Sequence, residues 1–225
     1  MSGFFKSSIG RKVAMALSAF FLMFFLLIHI TINLISVCSE ETFNMVSHFM
    51  GTNPLIQFGM QPVLIFGVVF HFIMGFVLEI KNKKAVGVSY AKNNGGANST
   101  WMSRNMIYSG LAILAFIVLH FIDFWIPEIN TKYIIGDMSG TIEGVDGLRY
   151  YQELTHKFEN PLRVGAYVLA FVFLALHLLH GFTSAFQSMG IPSIRKKTFE
   201  TCGRIYAIVI PLGFIFIALY HHFNH

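Results

Sequence analysis

The sequence predicts an all-α membrane protein built on five transmembrane helices. Three observations carry this. The 225 residues are 55% hydrophobic and only 12% charged, where a soluble domain carries about a quarter charged residues. Five apolar stretches reach the roughly 20 residues that an α-helix needs to cross a bilayer. The basic residues sit beside those stretches, as topology signals do, so the formal charge of +5 is read as orientation and not as a nucleic-acid surface.

The first span is drawn at 13–36. Lys6, Arg11 and Lys12 precede it. Its apolar run is longer than the hydrophobic region of a signal peptide and no Ala-x-Ala site follows, so it reads as a permanent helix. The second span, 59–80, stops at Lys81, Lys83 and Lys84. The third is 106–126 and the fourth 162–188. The fifth, 204–221, is the weakest, being short and carrying Pro211, a residue that spanning helices tolerate. The whole chain, 1–225, reads as one transmembrane domain with no internal repeat and no soluble domain.

The loops orient the bundle. The N-terminus and the loops after the second and fourth spans hold Lys6, Arg11, Lys12, Lys81, Lys83, Lys84, Lys92, Arg104, Arg195, Lys196, Lys197 and Arg204, which is 12 of the 16 basic residues. Excess Lys and Arg mark the cytoplasmic side. The N-terminus is therefore expected inside and the C-terminus outside. Asn93-Asn94-Gly95-Gly96 reads as a turn on the inner side. The outer loop at about 127–161 is long and acidic, and its Tyr150, Tyr151 and Phe158 argue for a folded cap. Cys38 and Cys202 fall on opposite sides of the membrane and are not expected to pair.

The chain has ten histidines. Five lie inside the spans: His29, His71, His120, His177 and His180. Ionisable groups in a bilayer are costly and mark functional sites by default. For any one of them the plainer role is a neutral imidazole bonded to a neighbouring helix. One histidine on each of four consecutive spans argues against that role for the set. With a rise of 1.5 Å per residue, His29 and His120 fall at an outer level and His71 and His180 at an inner level. Two levels of two histidines is what two stacked bis-histidine haems require, each iron taking an imidazole on either face. His177 is the alternative on the fourth span, and depth favours His180. Zinc prefers about four nitrogen or sulfur ligands at one level. A di-iron site needs glutamates inside the bundle, whereas Glu79 and Asp123 fall near span ends.

Gly67 and Gly75 flank His71 at four residues either side, leaving room for a macrocycle or for close helix packing. Asn33 and Ser18 share a face with His29, and each is a candidate partner for a ligand nitrogen or a haem propionate; for Asn33 a helix–helix hydrogen bond is the plainer reading. Propionate contacts are sought at Ser18 and Arg163 for the outer haem, and at Lys81, Lys83 and Arg195 for the inner one. His48 reads as outer surface, and His156, His221, His222 and His225 as outer and inert.

The residues now support a resemblance. Ser8-Ile9-Gly10-Arg11-Lys12-x-x-Met15-Ala16, then His29 and Asn33, open the first span. Phe158-x-Asn160-Pro161 opens the fourth, which closes on His177-Leu178-Leu179-His180-Gly181-Phe182-x-Ser184-Ala185-Phe186-Gln187-Ser188-x-Gly190. This pattern resembles the cytochrome b membrane-anchor subunit of succinate dehydrogenase and fumarate reductase. It looks most like the single-chain, five-helix, two-haem type common in Bacteroidetes. The resemblance implies His29, His71, His120 and His180, the last from the His-Gly pair, as axial ligands of two haem b groups. It implies a bacterial cytoplasmic membrane and a place in the enzyme that interconverts succinate and fumarate, a step of the tricarboxylic acid cycle. It also implies two soluble partners on the cytoplasmic face, a flavoprotein with FAD and an iron–sulfur protein, with menaquinone as the exchangeable carrier. This chain would carry electrons without holding a dicarboxylate site. The rivals are a cytochrome b anchor of hydrogenase or formate dehydrogenase type, against which the residues after His180 argue, a haem-free anchor, and a small transporter, which predicts broken helices or inverted repeats.

Overall fold

The fold follows from the five apolar runs and from the caps that begin and end them. The computed structural model describes Gly3 and residues 7–85, 105–141, 147–190 and 196–224. Five helices are long and apolar enough to span a membrane, and the described residues form no strand, only one isolated bridge between Thr141 and Leu148. The protein is an all-α, multi-pass membrane protein.

Helix α1 (Ser8–Cys38) starts where Ser7 caps it, accepting from the Gly10 amide at 2.9 Å, as serine does at an N-cap. Ser39 ends α1 and caps α2 (Glu40–Thr52), whose first turn carries Glu40 and Glu41, charges that suit the positive end of a helix. The second span begins with a π-helical turn at Ile56–Met60 and continues as α3 (Gln61–Ala85). The third starts as α4 (Met106–His120), passes through a π-helical turn at Phe121–Trp125, and runs through α5 (Ile126–Ile129) and a second π segment to Ile135. It is therefore longer than the 106–126 expected from hydropathy. The added turns carry Glu128 and the buried Lys132, and their charges hid the continuation of the helix. Helix α6 (Tyr150–Glu159) forms the expected folded cap. Asn160 then starts α7 (Pro161–Ser188), accepting from the Leu162 amide at 2.9 Å with Pro161 in the first turn, where a missing N–H costs nothing. The last span is α8 (Lys196–Phe223).

The starts of α1, α4 and α8 and the ends of α3 and α7 share one end of the bundle, the N-terminal end. Helices α2 and α6 close the other, the capped end. Cys38 lies at the capped end and Cys202 near the start of α8, and both are free.

The bundle is packed unevenly. Helix α8 buries 39% of its apolar window and α3 only 6%. The core joins Ile30 of α1, Tyr167 and Phe171 of α7, Ile210, Phe214 and Ile217 of α8, and Leu154 and Phe158 of α6. The fifth span, the weakest by hydropathy, is thus the best packed. Ala207 and Ala218 let its backbone approach, and Pro211 is fully buried. Small residues allow such contact in lipid, where apolar burial alone does not draw helices together. Helices α3 and α4 lie on the other side of α1 and α7, and α3 packs chiefly on α1. That looser side holds the intramembrane histidines.

Candidate haem-binding site

The histidines meet in two pairs. At the level nearer the capped end, the rings of His29 (α1) and His120 (α4) lie 5.8 Å apart, centre to centre, at an interplanar angle of 84°. Nearer the N-terminal end, the rings of His71 (α3) and His177 (α7) lie 6.3 Å apart at 67°. On the fourth span the ring nearest His71 differs from the one expected. Depth paired it with His71, but the side chain that reaches His71 is His177. Three residues along a helix are about 4.5 Å of rise and a turn of roughly 60°, enough to take His180 out of the pair. It is the least enclosed of the five intramembrane histidines.

The spacing suits a shared metal. A metal–imidazole bond is about 2.0 Å and the ring centre lies about 1.1 Å further, so rings on opposite faces of one iron have centres roughly 6 Å apart. Among the described residues no group of three or more His, Cys, Asp or Glu could hold a metal ion. A haem fits such a donor set, because its macrocycle brings four nitrogens and asks the protein for two. All four paired rings stay half-buried although they lie deep in their spans.

The N-terminal-end pair has a matched set of partners. Ser18 Oγ lies 2.8 Å from the Met15 carbonyl and 3.0 Å from His71 Nδ1. Ser109 Oγ lies 2.9 Å from the Met106 carbonyl and 3.2 Å from His177 Nδ1. Ser18 is eleven residues before His29 on α1, and Ser109 eleven before His120 on α4. Each of these helices thus carries one ring of one level and one serine of the other, about 16.5 Å apart along its axis. Ser18 was expected beside the outer haem and instead sits at the other level, since α1 runs antiparallel to α3. Ser109 is not singled out by its own residue type; its signal in the sequence is the repeated eleven-residue spacing to an intramembrane histidine.

The capped-end pair is held differently. Asn33 donates to the His29 carbonyl at 2.8 Å and only approaches its Nδ1, at 3.5 Å. Phe25 stacks on His29, and Phe116 on His120. His120 Nδ1 is buried with no hydrogen-bond partner among the described residues. Directly after His120 comes the π-helical turn, a feature often found at functional sites, and it places Asp123 against α7. There the Asp123 carboxylate accepts from Arg163 and, at 2.7 Å, from the Tyr167 hydroxyl. Arg163 is therefore at the expected end of the bundle but already paired. Lys83 is exposed and bridges Glu79 at 3.0 Å, Lys81 is exposed, and Arg195 lies outside the described residues. Gly67, expected to leave room for a macrocycle, faces the Phe21 ring, which an added Cβ would meet at 2.6 Å.

The remaining described histidines outside the spans' interior are structural or surface groups. His221, expected outside and inert, is buried near the end of α8 with Nε2 2.8 Å from Ser36 Oγ. His222 donates through Nδ1 to the Phe158 carbonyl at 2.8 Å. His48 is half-buried, 3.3 Å from the Tyr150 hydroxyl. His156 is exposed beside Glu159, and His225 lies outside the described residues. Above the capped-end pair, Glu128 bridges Lys132 and Arg149, and Arg149 also bonds Glu153 at 2.5 Å. This network ties α2, the third span and α6 together, because Lys132 also donates to the Gly51 carbonyl at 2.5 Å. Tyr150 lies beneath both cations, and burial first, with Glu128 second, pushes its phenol up to about 12.

No family model, curated protein or solved structure matches the chain. The site defines its class by geometry alone: a five-span membrane protein with two facing histidine pairs at two depths.

Proposed function

We propose that this chain is a two-haem cytochrome b that anchors a succinate:quinone oxidoreductase and carries electrons across the membrane. The observation that supports it most is the arrangement of four histidines as two facing pairs, His29 with His120 and His71 with His177. In this reading His177 replaces His180 as the fourth ligand. Each haem iron would supply a reversible one-electron couple. The protein's own part is to hold the imidazoles deep in the span in fixed tautomers and to set them at two depths. It also closes the capped end with the network around Glu128.

The basic N-terminal end fits the cytoplasmic face of a bacterial membrane by charge, and there the flavoprotein and iron–sulfur partners would dock. Electrons would enter at the His71/His177 haem and leave from the His29/His120 haem to menaquinone near the capped end. Succinate and fumarate as the distant substrates rest on the resemblance of the first and fourth spans. Other membrane cytochromes b share the histidine logic, and the soluble partners distinguish them.

The test is a reduced-minus-oxidised spectrum and a haem-to-protein ratio on the purified chain, followed by isolation of the native complex. A low-spin b-type signal at about two haems per chain, with a flavoprotein that oxidises succinate in the complex, is expected. No haem in freshly isolated complex removes the cytochrome reading. Haem with a hydrogenase or formate dehydrogenase partner moves the chain to the rival class.

A further inference from the structure

The two serines at the N-terminal-end level have a role beyond filling space, and the argument rests on the haem reading above. A carbonyl only accepts hydrogen bonds. The 2.8 Å contact from Ser18 Oγ to the Met15 carbonyl therefore uses the single hydroxyl proton. The oxygen is left as an acceptor, so His71 Nδ1, 3.0 Å away, must be the donor. The same reasoning applies to Ser109, whose proton goes to the Met106 carbonyl at 2.9 Å and whose oxygen accepts from His177 Nδ1 at 3.2 Å. Both rings then carry a proton on Nδ1, the arrangement in which Nε2 is the ligating nitrogen. Each keeps a lone pair on Nε2, and neither Nε2 has a hydrogen-bond partner among the described residues.

We infer that Ser18 and Ser109 are positioning residues of the haem held by His71 and His177: each hydroxyl oxygen accepts a hydrogen bond from the Nδ1–H of the facing ligand, fixes its tautomer and ring plane, and thereby tunes the iron. Serine back-bonding to its own helix is common and by itself means little. Here it occurs twice, once opposite each ring of one pair, at the same distance from the other pair's ligand on each helix. The capped-end pair has no counterpart. His120 Nδ1 lacks a hydrogen-bond partner among the described residues, and Asn33, which donates to the His29 carbonyl at 2.8 Å, reaches His29 Nδ1 only at 3.5 Å.

Donation from Nδ1 makes an imidazole a stronger ligand and favours the ferric state, and loss of such a partner typically costs about 10–100-fold in metal affinity or activity. Removing one serine therefore raises the potential of this haem and leaves the other unchanged. The experiment is a redox titration with low-temperature EPR on the full complex carrying Ser18→Ala, Ser109→Ala and the double substitution. The expected result for the double variant is about a tenfold higher ratio of ferrous to ferric iron at a given potential, which is about 59 mV for one electron. One low-spin EPR line should shift and the other stay. Ser18→Thr and Ser109→Thr keep the hydroxyl and should restore the parent values. Ser188→Ala is the control, since Ser188 back-bonds to Ser184 at 2.9 Å without a histidine. Where an alanine variant does not accumulate, Ser18→Cys or Ser109→Cys keeps the volume with a poor acceptor and should shift the potential in the same direction. Two haems with both potentials and both EPR lines unmoved in the double variant would overturn the inference and leave the cytochrome reading standing. No haem in the unsubstituted complex would overturn both.

Discussion

His177→Ala and His180→Ala separate the two ligand sets that the fourth span offers. In the structure His177 is 6.3 Å from His71, ring centre to ring centre, with Ser109 on its Nδ1. For His180 to take over, α7 would have to slide about 4.5 Å and turn roughly 60°. That movement would pull Leu178 and Ala185, both buried against Ala16, Met23 and Ala207, out of the core. Emptying a Leu-sized core site costs about 2–5 kcal/mol, so His180 does not rescue the variant. His177→Ala is expected to retain one haem per chain of the two, with His29→Ala and His120→Ala losing the other. His180→Ala is expected to keep both. The assay is haem quantified as its pyridine complex against protein, on complex purified in mild detergent. Two haems in His177→Ala together with one in His180→Ala would refute the reasoning and return the ligand to the His-Gly pair.

Other outcomes follow from the same geometry. The paired rings cross at 84° and 67°; crossed axial imidazoles leave two iron d orbitals nearly degenerate, so both ferric haems should give highly anisotropic low-spin EPR signals, and a rhombic, parallel-ring spectrum would contradict the ring placement. Asp123→Ala strips the partner from Arg163 and Tyr167; breaking a buried pair costs about 3–5 kcal/mol, reduced here because Arg163 keeps a third of its side chain exposed, so a loss of about 2–3 kcal/mol should appear in detergent unfolding, with Asp123→Asn milder. Tyr150 keeps its proton up to about pH 12 in the fold and loses it near pH 10 when unfolded. The folded state therefore binds more protons between these values, and the capped end should weaken as pH rises from 10 to 12. Hydrogen exchange of α2 and α6 measures this, and Tyr150→Phe should flatten the dependence.

The five spans were legible in the sequence because a bilayer imposes one length and one polarity on any helix that crosses it. The same is true of the histidine depths, since rise along a helix is a one-dimensional quantity. Depth favours His180 over His177, whereas the ring that meets His71 is decided by the direction each side chain faces. That direction is set by which side of α7 packs on α8, through Leu178 and Ala185. Ser109 carried no signal alone, and its meaning depends on α4 lying against α7. His221 looked terminal and inert because hydropathy does not show that α8 is the best-packed span, with Ser36 of α1 beside it. The continuation of the third span to Ile135 was masked by Glu128 and Lys132, whose charges are matched by each other one helical turn apart and by Arg149 from the start of α6. The sequence by itself determined the membrane class, the number of spans and the depths of the intramembrane histidines, since these are local properties of composition and helical rise. Only the tertiary structure decided which rings face each other and which hydroxyls and carboxylates meet them, because those depend on the rotation of each helix, and rotation is set by packing against neighbours.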